Sequence, residues 1–121
     1  MAKKKILFID DEDLLRELMY EMLSDMDYDV KVEESGREAV RTFIAHPEEF
    51  DLVLTDLMML DMRGDEIAKE IRSVRPGTPV VVITGTPENL PRGEAEAAGV
   101  CRVLAKPLTK AELREGLRGV V

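Results

Sequence analysis

A chain of 121 residues, 45% of them hydrophobic, is large enough for one domain with its own core, and we expect that domain to cover residues 1–121. Its formal net charge of −8 argues against direct binding to nucleic acid, which needs clustered Lys and Arg side chains, and against docking on an anionic membrane. No apolar run reaches the length of about 18 residues that a membrane span requires, and acidic residues 10–13 interrupt the first run too early for a signal peptide, so we expect a cytoplasmic protein.

Short apolar runs alternate with stretches whose apolar residues recur every three or four positions. The runs are typical of strands buried on both faces, and the recurring positions are typical of amphipathic helices. Ser35 with Glu38, and Thr109 with Glu112, have the spacing of capping boxes. In chain order we predict a strand at 6–9, a helix over 14–26, a strand at 28–32, a helix capped by Ser35 and ended by His46-Pro47, a strand at 52–54 closed by Thr55-Asp56, a loop at 58–64, a helix over 67–74, a strand at 80–83 closed by Thr84-Gly85, a short helix near 94–98, a strand at 100–104 and a last helix capped by Thr109.

Five strands that each precede a helix predict an α/β fold with a parallel sheet and helices on both faces. Right-handed crossovers leave few arrangements of such a sheet. We therefore expect a single, doubly wound, five-stranded parallel sheet. In open sheets of this kind, ligands bind beyond the carboxyl ends of the strands.

Reactive side chains occur at those carboxyl ends. The parallel sheet would bring them to one edge, where carboxylates, a hydroxyl and an ammonium suit the binding of a divalent metal together with a phosphoryl group. Mg²⁺ in particular prefers hard oxygen ligands such as carboxylates. The candidate residues are Asp10, Asp11, Asp56, Thr84 and Lys106.

These candidates differ in how strongly the pattern supports them. Asp56 follows a wholly apolar strand, where a carboxylate crowded by others is costly unless a cation relieves it, and a carboxylate there can act as a nucleophile. Asp10 and Asp11 have a second interpretation, because acidic residues also favour the start of a helix. Lys106 fits either a phosphoryl contact or a structural counter-ion. Pro107, which follows it, is a candidate cis-proline.

The order and spacing of these motifs over the whole chain resemble the receiver domain of bacterial response regulators. The resemblance, rather than the hydrophobic pattern, implies the flavodoxin-like strand order 2-1-3-4-5. The motifs that carry it are Phe8-Ile9-Asp10-Asp11, Val53-Leu54-Thr55-Asp56 with Met59 and Gly64 after it, Val82-Ile83-Thr84-Gly85, and Ala105-Lys106-Pro107.

The resemblance also implies a role for each site residue. Asp56 would be the phosphoacceptor, and Thr84 and Lys106 would bind the phosphoryl group. Mg²⁺, with Mn²⁺ as a substitute, would be held by Asp11, by Asp56, by the Met58 backbone carbonyl and, through water, by Asp10. The expected function is two-component phosphorelay signalling, in which the domain assists its own phosphorylation and dephosphorylation but is not otherwise an enzyme.

Two positions depart from the family pattern. Leu60 stands four residues after Asp56, where the family usually has Pro. Val103 stands three residues before Lys106, where the family often has Tyr or Phe, an aromatic side chain that changes rotamer when the threonine moves. Since Val103 is not a site ligand, we expect phosphorylation to survive and its readout to differ.

The resemblance implies a sensor histidine kinase or a histidine phosphotransfer protein as the partner. We expect Leu14 and Leu18, at one rim of the wide apolar stripe of the first helix, to contribute to its docking. A phosphorylation-linked homodimer is a further expected state. We see no output domain after the last helix, so the chain is either a stand-alone receiver or part of a larger regulator or hybrid kinase.

Two other functions fit parts of the pattern. An aspartate-nucleophile phosphatase would need a second Asp two residues after the nucleophile, where this chain has Met58. An interaction module that works without phosphorylation would not need the complete site, and Mg²⁺ titration distinguishes it from a receiver. Cys101, the only cysteine, lies in an apolar run, and we expect it to be a small buried hydrophobe.

Overall fold

A computed structural model, in which residues 3–121 are described, confirms the predicted α/β fold. The elements are β1 (Lys5–Ile9), α1 (Asp13–Asp25), β2 (Asp29–Glu33), α2 (Gly36–Ala45), β3 (Leu52–Asp56), α3 (Gly64–Val74), β4 (Val80–Thr84), a 3₁₀ turn (Pro87–Asn89), α4 (Arg92–Ala98), β5 (Arg102–Ala105) and α5 (Lys110–Leu117). The five strands form one parallel sheet in the order β2-β1-β3-β4-β5.

The apolar runs mark the three inner strands of the sheet. β1, β3 and β4 lie between other strands, and their apolar residues are buried on both faces. The edge strands β2 and β5 are only partly buried, which accounts for their weaker patterns. The most hydrophobic sequence thus lies where both faces of the sheet are covered by helices.

Alternate residues of the inner strands enter two separate cores. In β1, Leu7 and Ile9 pack on the side of α2, α3 and α4, whereas Ile6 and Phe8 pack on the side of α1 and α5. Adjacent side chains point to opposite faces because successive residues of a strand alternate. The same alternation decides which side chains at the ends of the strands lie on the same face of the sheet.

Both predicted N-cap residues accept a backbone N–H, but only one of the two predicted capping boxes forms. Thr109 with Glu112 makes the reciprocal pair of bonds. Ser35 Oγ accepts the Glu38 N–H at 3.1 Å, whereas the Glu38 carboxylate accepts from Arg41 instead. Gly99 ends α4 with a φ of 84°, a left-handed conformation that glycine adopts at little cost. No helix within residues 3–121 has the length and apolar character needed to cross a bilayer.

The fifth strand begins later than the sequence pattern indicates. Val100 N–H bonds to Ala95 O, so Val100 belongs to the C-terminal cap of α4, and the strand starts at Arg102. The expectation for Cys101 is wrong: the residue is exposed at this junction. Partial desolvation raises the pKa of its thiol, so the residue has no low-pKa thiolate that would indicate a redox role.

Asp61 caps a helix to which it is not adjacent in sequence. It lies in the β3–α3 loop (residues 57–63), and its carboxylate accepts the Gly36 N–H at 3.1 Å and the Arg37 N–H at 3.0 Å. Partial burial works to raise the pKa of Asp61, but these backbone donors outweigh it and leave the pKa below its usual value. The start of α2 is therefore tied to the loop that follows Asp56.

We predict that Asp61→Ala lowers the free energy of unfolding by about 1 kcal/mol at pH 7, the usual cost of losing a helix cap. Because the folded-state pKa lies below the unfolded value, the stabilisation is present above the unfolded pKa. It is lost as the pH falls through the folded pKa. Urea unfolding at pH 7 and in acid measures the difference, which should vanish in acid. Asp61→Asn is the matched control, because its amide oxygen can still accept a backbone N–H, and it should lose less stability than Asp61→Ala at pH 7. Equal stability of Asp61→Ala and wild type at pH 7 would contradict the cap.

Candidate functional site

Three carboxylates form a cluster at the carboxyl edge of the sheet. Asp10 and Asp11 directly follow β1, and Asp56 ends the neighbouring strand β3. An oxygen from each of the three lies within 4.8 Å of the others. The parallel arrangement of two adjacent strands is what brings them together, as the sequence predicted for this edge.

Lys106 lies against this cluster from the end of β5. Its Nζ is 3.1 Å from Asp56 Oδ2 and 3.7 Å from Asp10 Oδ2. The Lys106–Pro107 peptide bond is cis. With three carboxylates and one ammonium, the cluster keeps an excess of negative charge.

Asp10 is the most deeply buried member of the cluster, with 1% of its surface exposed. Burial raises its pKa, and the charges of Asp56 and Asp11 act in the same direction. The Glu12 N–H, which donates to Asp10 Oδ1 at 2.9 Å, and the Lys106 ammonium oppose this rise without cancelling it. Three carboxylates that repel one another at this short range offer hard oxygen ligands, and such a set fits Mg²⁺.

Asp56 is held in place by contacts to both of its oxygens. Oδ1 accepts the Leu57 N–H at 2.8 Å, and Oδ2 faces Lys106. The start of α3 packs closely behind it, because a Cβ at Gly64 would lie 2.6 Å from the Asp56 carbonyl oxygen. Gly64 is therefore required by the close approach of two backbone segments, and its presence in the sequence motif has a steric cause.

Thr84 lies at the same edge of the sheet as the three carboxylates, but its hydroxyl points away from them. In the register of β3 and β4, Asp56 is paired with Ile83, so the next residue, Thr84, directs its side chain to the other face. Its Oγ1 accepts the Thr86 N–H at 3.0 Å. The structure thus brings Asp10, Asp11, Asp56 and Lys106 together and leaves Thr84 facing the loop that follows β4.

The β3–α3 loop reaches back to the cluster through Leu60. The Leu60 N–H donates to Asp11 Oδ2 at 3.1 Å, while the Leu60 side chain is 98% exposed. A proline at this position has no N–H and could not make this contact. The departure from the family pattern at Leu60 therefore has a consequence beside the site. Met58, whose carbonyl is a predicted metal ligand, lies in the same loop and pairs with Arg63.

Sequence reasoning missed two arginines near the site. Arg16 has only 16% of its side chain exposed and donates to the Asp10 carbonyl at 2.9 Å. Arg63 pairs with Asp65 at 2.9 Å and donates to the Asn89 carbonyl at 3.1 Å, so it joins the β3–α3 loop to the 3₁₀ turn. Nothing in the sequence marks either one, because an arginine in a polar segment is ordinary.

An apolar cavity of about 310 Å³ opens beside the cluster between α1 and the segment 106–108 that precedes α5. Leu18 lines it and is 50% exposed, whereas Leu14, one turn earlier on α1, is 75% exposed. Leu14 and Leu18 thus leave apolar surface exposed on the first two turns of α1 beside this cavity. The other apolar lining residues include Leu15, Met19, Met22 and Leu108.

Comparisons with known proteins agree with this arrangement. The sequence model described as "Response regulator receiver domain" matches residues 6–118. The transcriptional regulatory protein GlrR of Escherichia coli is 34% identical over 112 residues, which are 93% of this chain and 25% of GlrR. The chain thus spans about a quarter of the length of this curated relative, and about half of the CpxR homologue of Haemophilus influenzae.

Two solved structures are similar over nearly their full length. The chemotaxis protein CheY4 of Vibrio cholerae has 31% identity and a TM-score of 0.89, with 99% of this chain and 100% of that chain covered. The response regulator TrrA of Thermotoga maritima, solved in complex with Mg²⁺-BeF, has 29% identity, a TM-score of 0.87 and coverage of 98% and 99%. Sequence match, fold and strand-edge chemistry agree, and this chain belongs to the response regulator receiver domain family.

Proposed function

We propose that this domain receives a phosphoryl group on Asp56 and thereby switches the binding of partner proteins. The contact that supports the proposal best is the 3.1 Å pair of Asp56 Oδ2 and Lys106 Nζ inside a cluster of three carboxylates. Such a pair places a nucleophilic oxygen next to a cation at the point where phosphoryl charge would develop. As a member of this family, the domain is a signalling receiver rather than a classical enzyme.

The phosphoryl donor in this proposal is a phosphohistidine of a sensor kinase or a phosphotransfer protein. An Asp56 carboxylate oxygen attacks the phosphorus atom in line, the P–O bond forms as the P–N bond breaks, and the imidazole leaves with the electron pair. The Leu57 N–H and Lys106 hold the carboxylate in one orientation, which lowers the entropic cost of the attack. Lys106 also balances the charge on the transferred group.

Mg²⁺, or Mn²⁺ as a substitute, would lie among Asp11, Asp56 and the Met58 carbonyl, with Asp10 reaching it through water. When bound, it supplies positive charge that neutralises the phosphoryl oxygens. The rest of the mechanism belongs to the chain itself. Asp10 and Lys106 set the charge of the cluster, and Thr84 turns to donate its hydroxyl to a phosphoryl oxygen, which shifts the loops after β4 and β5 between two states.

The partners of the whole protein are part of the proposal. We propose that the kinase or phosphotransfer partner docks beside the first turns of α1, where Leu14 and Leu18 are exposed next to the apolar cavity. The phosphorylated form would then act by binding a partner or by forming a homodimer. Longer relatives such as GlrR are named transcriptional regulators, and an output of that kind fits a receiver in a larger regulator.

We expect Asp56→Asn to abolish phosphorylation by acetyl phosphate in the presence of Mg²⁺, because an amide cannot form the acyl phosphate. Intact-mass spectrometry before and after incubation measures the incorporation. Asp25→Asn, which changes an exposed carboxylate on the far end of α1, serves as the control and should behave as wild type. Unchanged stoichiometry in Asp56→Asn would refute the assignment of the acceptor.

We expect Asp10→Asn to stabilise the metal-free domain and to weaken its response to Mg²⁺. The substitution removes one of three crowded charges that share a single ammonium, while the amide oxygen can still accept the Glu12 N–H. Urea unfolding without metal and with saturating Mg²⁺ gives both quantities. A metal-free variant less stable than wild type, or an undiminished gain in stability from Mg²⁺, would contradict the charge-crowding argument.

We expect Leu14→Asp to slow transfer from a phosphohistidine partner at least tenfold while leaving labelling by acetyl phosphate unchanged, because the small donor needs no docking surface. Ile44→Asp, which places the same charge at another exposed apolar position, on α2, should leave both rates unchanged. Equal transfer rates for Leu14→Asp and wild type would remove this surface from the proposed interface.

A further inference from the structure

The Thr84 hydroxyl is engaged by the loop that follows it. Thr84 is 1% exposed, its Oγ1 accepts the Thr86 N–H at 3.0 Å, and it lies 3.2 Å from Thr86 Oγ1. A buried hydroxyl that loses its partner costs free energy comparable to the lost hydrogen bond. The present orientation of Thr84 is therefore one that these contacts with Thr86 stabilise.

Thr86 is itself held by the 3₁₀ turn and by the β3–α3 loop. Asn89 Nδ2 donates to Thr86 Oγ1 at 3.1 Å, and the Asn89 carbonyl accepts from Arg63 at 3.1 Å. Arg63 is fixed in turn by Asp65 at 2.9 Å. We refer to Thr84, Thr86, Asn89 and Arg63 as the hydrogen-bond chain. It runs from the end of β4, beside the site, to the β3–α3 loop, which carries Met58.

The two threonine hydroxyls share one hydrogen bond, and this bond limits what Thr84 can do. Thr86 Oγ1 accepts from Asn89, and one of the two threonine hydroxyls donates to the other. Because the strand register directs Thr84 away from Asp56, its hydroxyl must leave Thr86 to reach a phosphoryl group on Asp56. Phosphoryl binding and the bond between the two threonines are therefore alternatives.

We propose that Thr86 is a positioning residue that holds the Thr84 hydroxyl away from the phosphoryl site, and that phosphorylation releases residues 86–89 by breaking this bond. The inference rests on the proposed phosphoryl contact of Thr84. In the family, an aromatic residue at the position of Val103 often couples the movement of the threonine to the surface. Val103 has no polar atom and packs, partly buried, against the core. The inference assigns this coupling to the polar side chains of the hydrogen-bond chain instead. Asn89 and Arg63 act only through Thr86.

The test uses beryllofluoride with saturating Mg²⁺ as the probe and isothermal titration calorimetry as the readout. Thr86→Val keeps the shape and the backbone N–H of Thr86 but removes its hydroxyl. The variant should bind beryllofluoride about two- to tenfold more tightly than wild type, the equivalent of one net hydrogen bond that no longer has to be broken. The affinity for Mg²⁺ alone should be unchanged, because the hydrogen-bond chain does not contact the acid cluster.

Two further variants separate this role from a merely structural one. Thr86→Ser restores a hydroxyl and should return the beryllofluoride affinity to the wild-type value. Asn89→Ala should tighten binding by a smaller factor in the wild-type background and by none in the Thr86→Val background, since it acts through Thr86. Circular dichroism and urea unfolding establish that each variant is folded. If Thr86→Val does not fold, the Asn89→Ala result alone decides the proposal.

The outcomes distinguish this inference from the proposed function. If wild type fails to bind beryllofluoride with Mg²⁺, the proposed phosphoacceptor site itself is wrong. If wild type binds and Thr86→Val binds equally well or more weakly, Thr86 does not restrain Thr84 and this inference is overturned, while the phosphoacceptor site stands. A change in Mg²⁺ affinity in Thr86→Val would also overturn it, because the effect would then originate in the metal site.

Discussion

Three carboxylates share one ammonium at the carboxyl edge of the sheet, and this shortage of positive charge governs the site. Burial of Asp10 strengthens the repulsion, since the low dielectric around it disfavours the charged form. The carboxylates lie at the ends of β1 and β3, whose apolar residues pack into the two cores and hold these strand ends in place. A divalent cation bound there would relieve the repulsion, and it would also offset the negative charge that a phosphoryl group on Asp56 brings to the cluster.

The β3–α3 loop connects that charge cluster to the rest of the domain. Leu60 bonds to Asp11, Asp61 caps α2, and Arg63 holds the 3₁₀ turn through Asn89. Each contact joins the loop to a different element. A change of charge or geometry at Asp56, directly before the loop, is therefore placed to act on α2, on Asp11 and on the segment after β4.

The residues of the proposed phosphoacceptor site differ from the residues that would transmit its state to the surface. The acid cluster and Lys106 need only the strand ends and the close packing at Gly64. The proposed readout depends instead on loop residues. In it, Thr86 restrains the Thr84 hydroxyl, because Val103 lacks the aromatic ring that changes rotamer when the threonine moves in other members of the family. Loops are the parts of a domain in which such low-cost rearrangements are found.

Much of this domain could be predicted from its sequence, because the determining patterns are local. Apolar runs identified the strands, and a parallel sheet has to bring the residues at their carboxyl ends to one edge, which is why Asp10, Asp11, Asp56, Thr84 and Lys106 were expected together. All of them lie at that edge, but only Asp10, Asp11, Asp56 and Lys106 meet in one cluster. The strand order came from the resemblance to a known family and was confirmed.

The remaining features depend on contacts between segments distant in sequence. The bond from Leu60 to Asp11 spans 49 residues, and that from Arg63 to Asn89 spans 26, so no local pattern encodes them. The exposure of Cys101 follows from where the cap of α4 ends, and the direction of the Thr84 hydroxyl follows from strand register and from Thr86. Periodicity and strand order place a residue at an edge of the sheet, whereas the partner of its side chain is set by which loops pack against that edge.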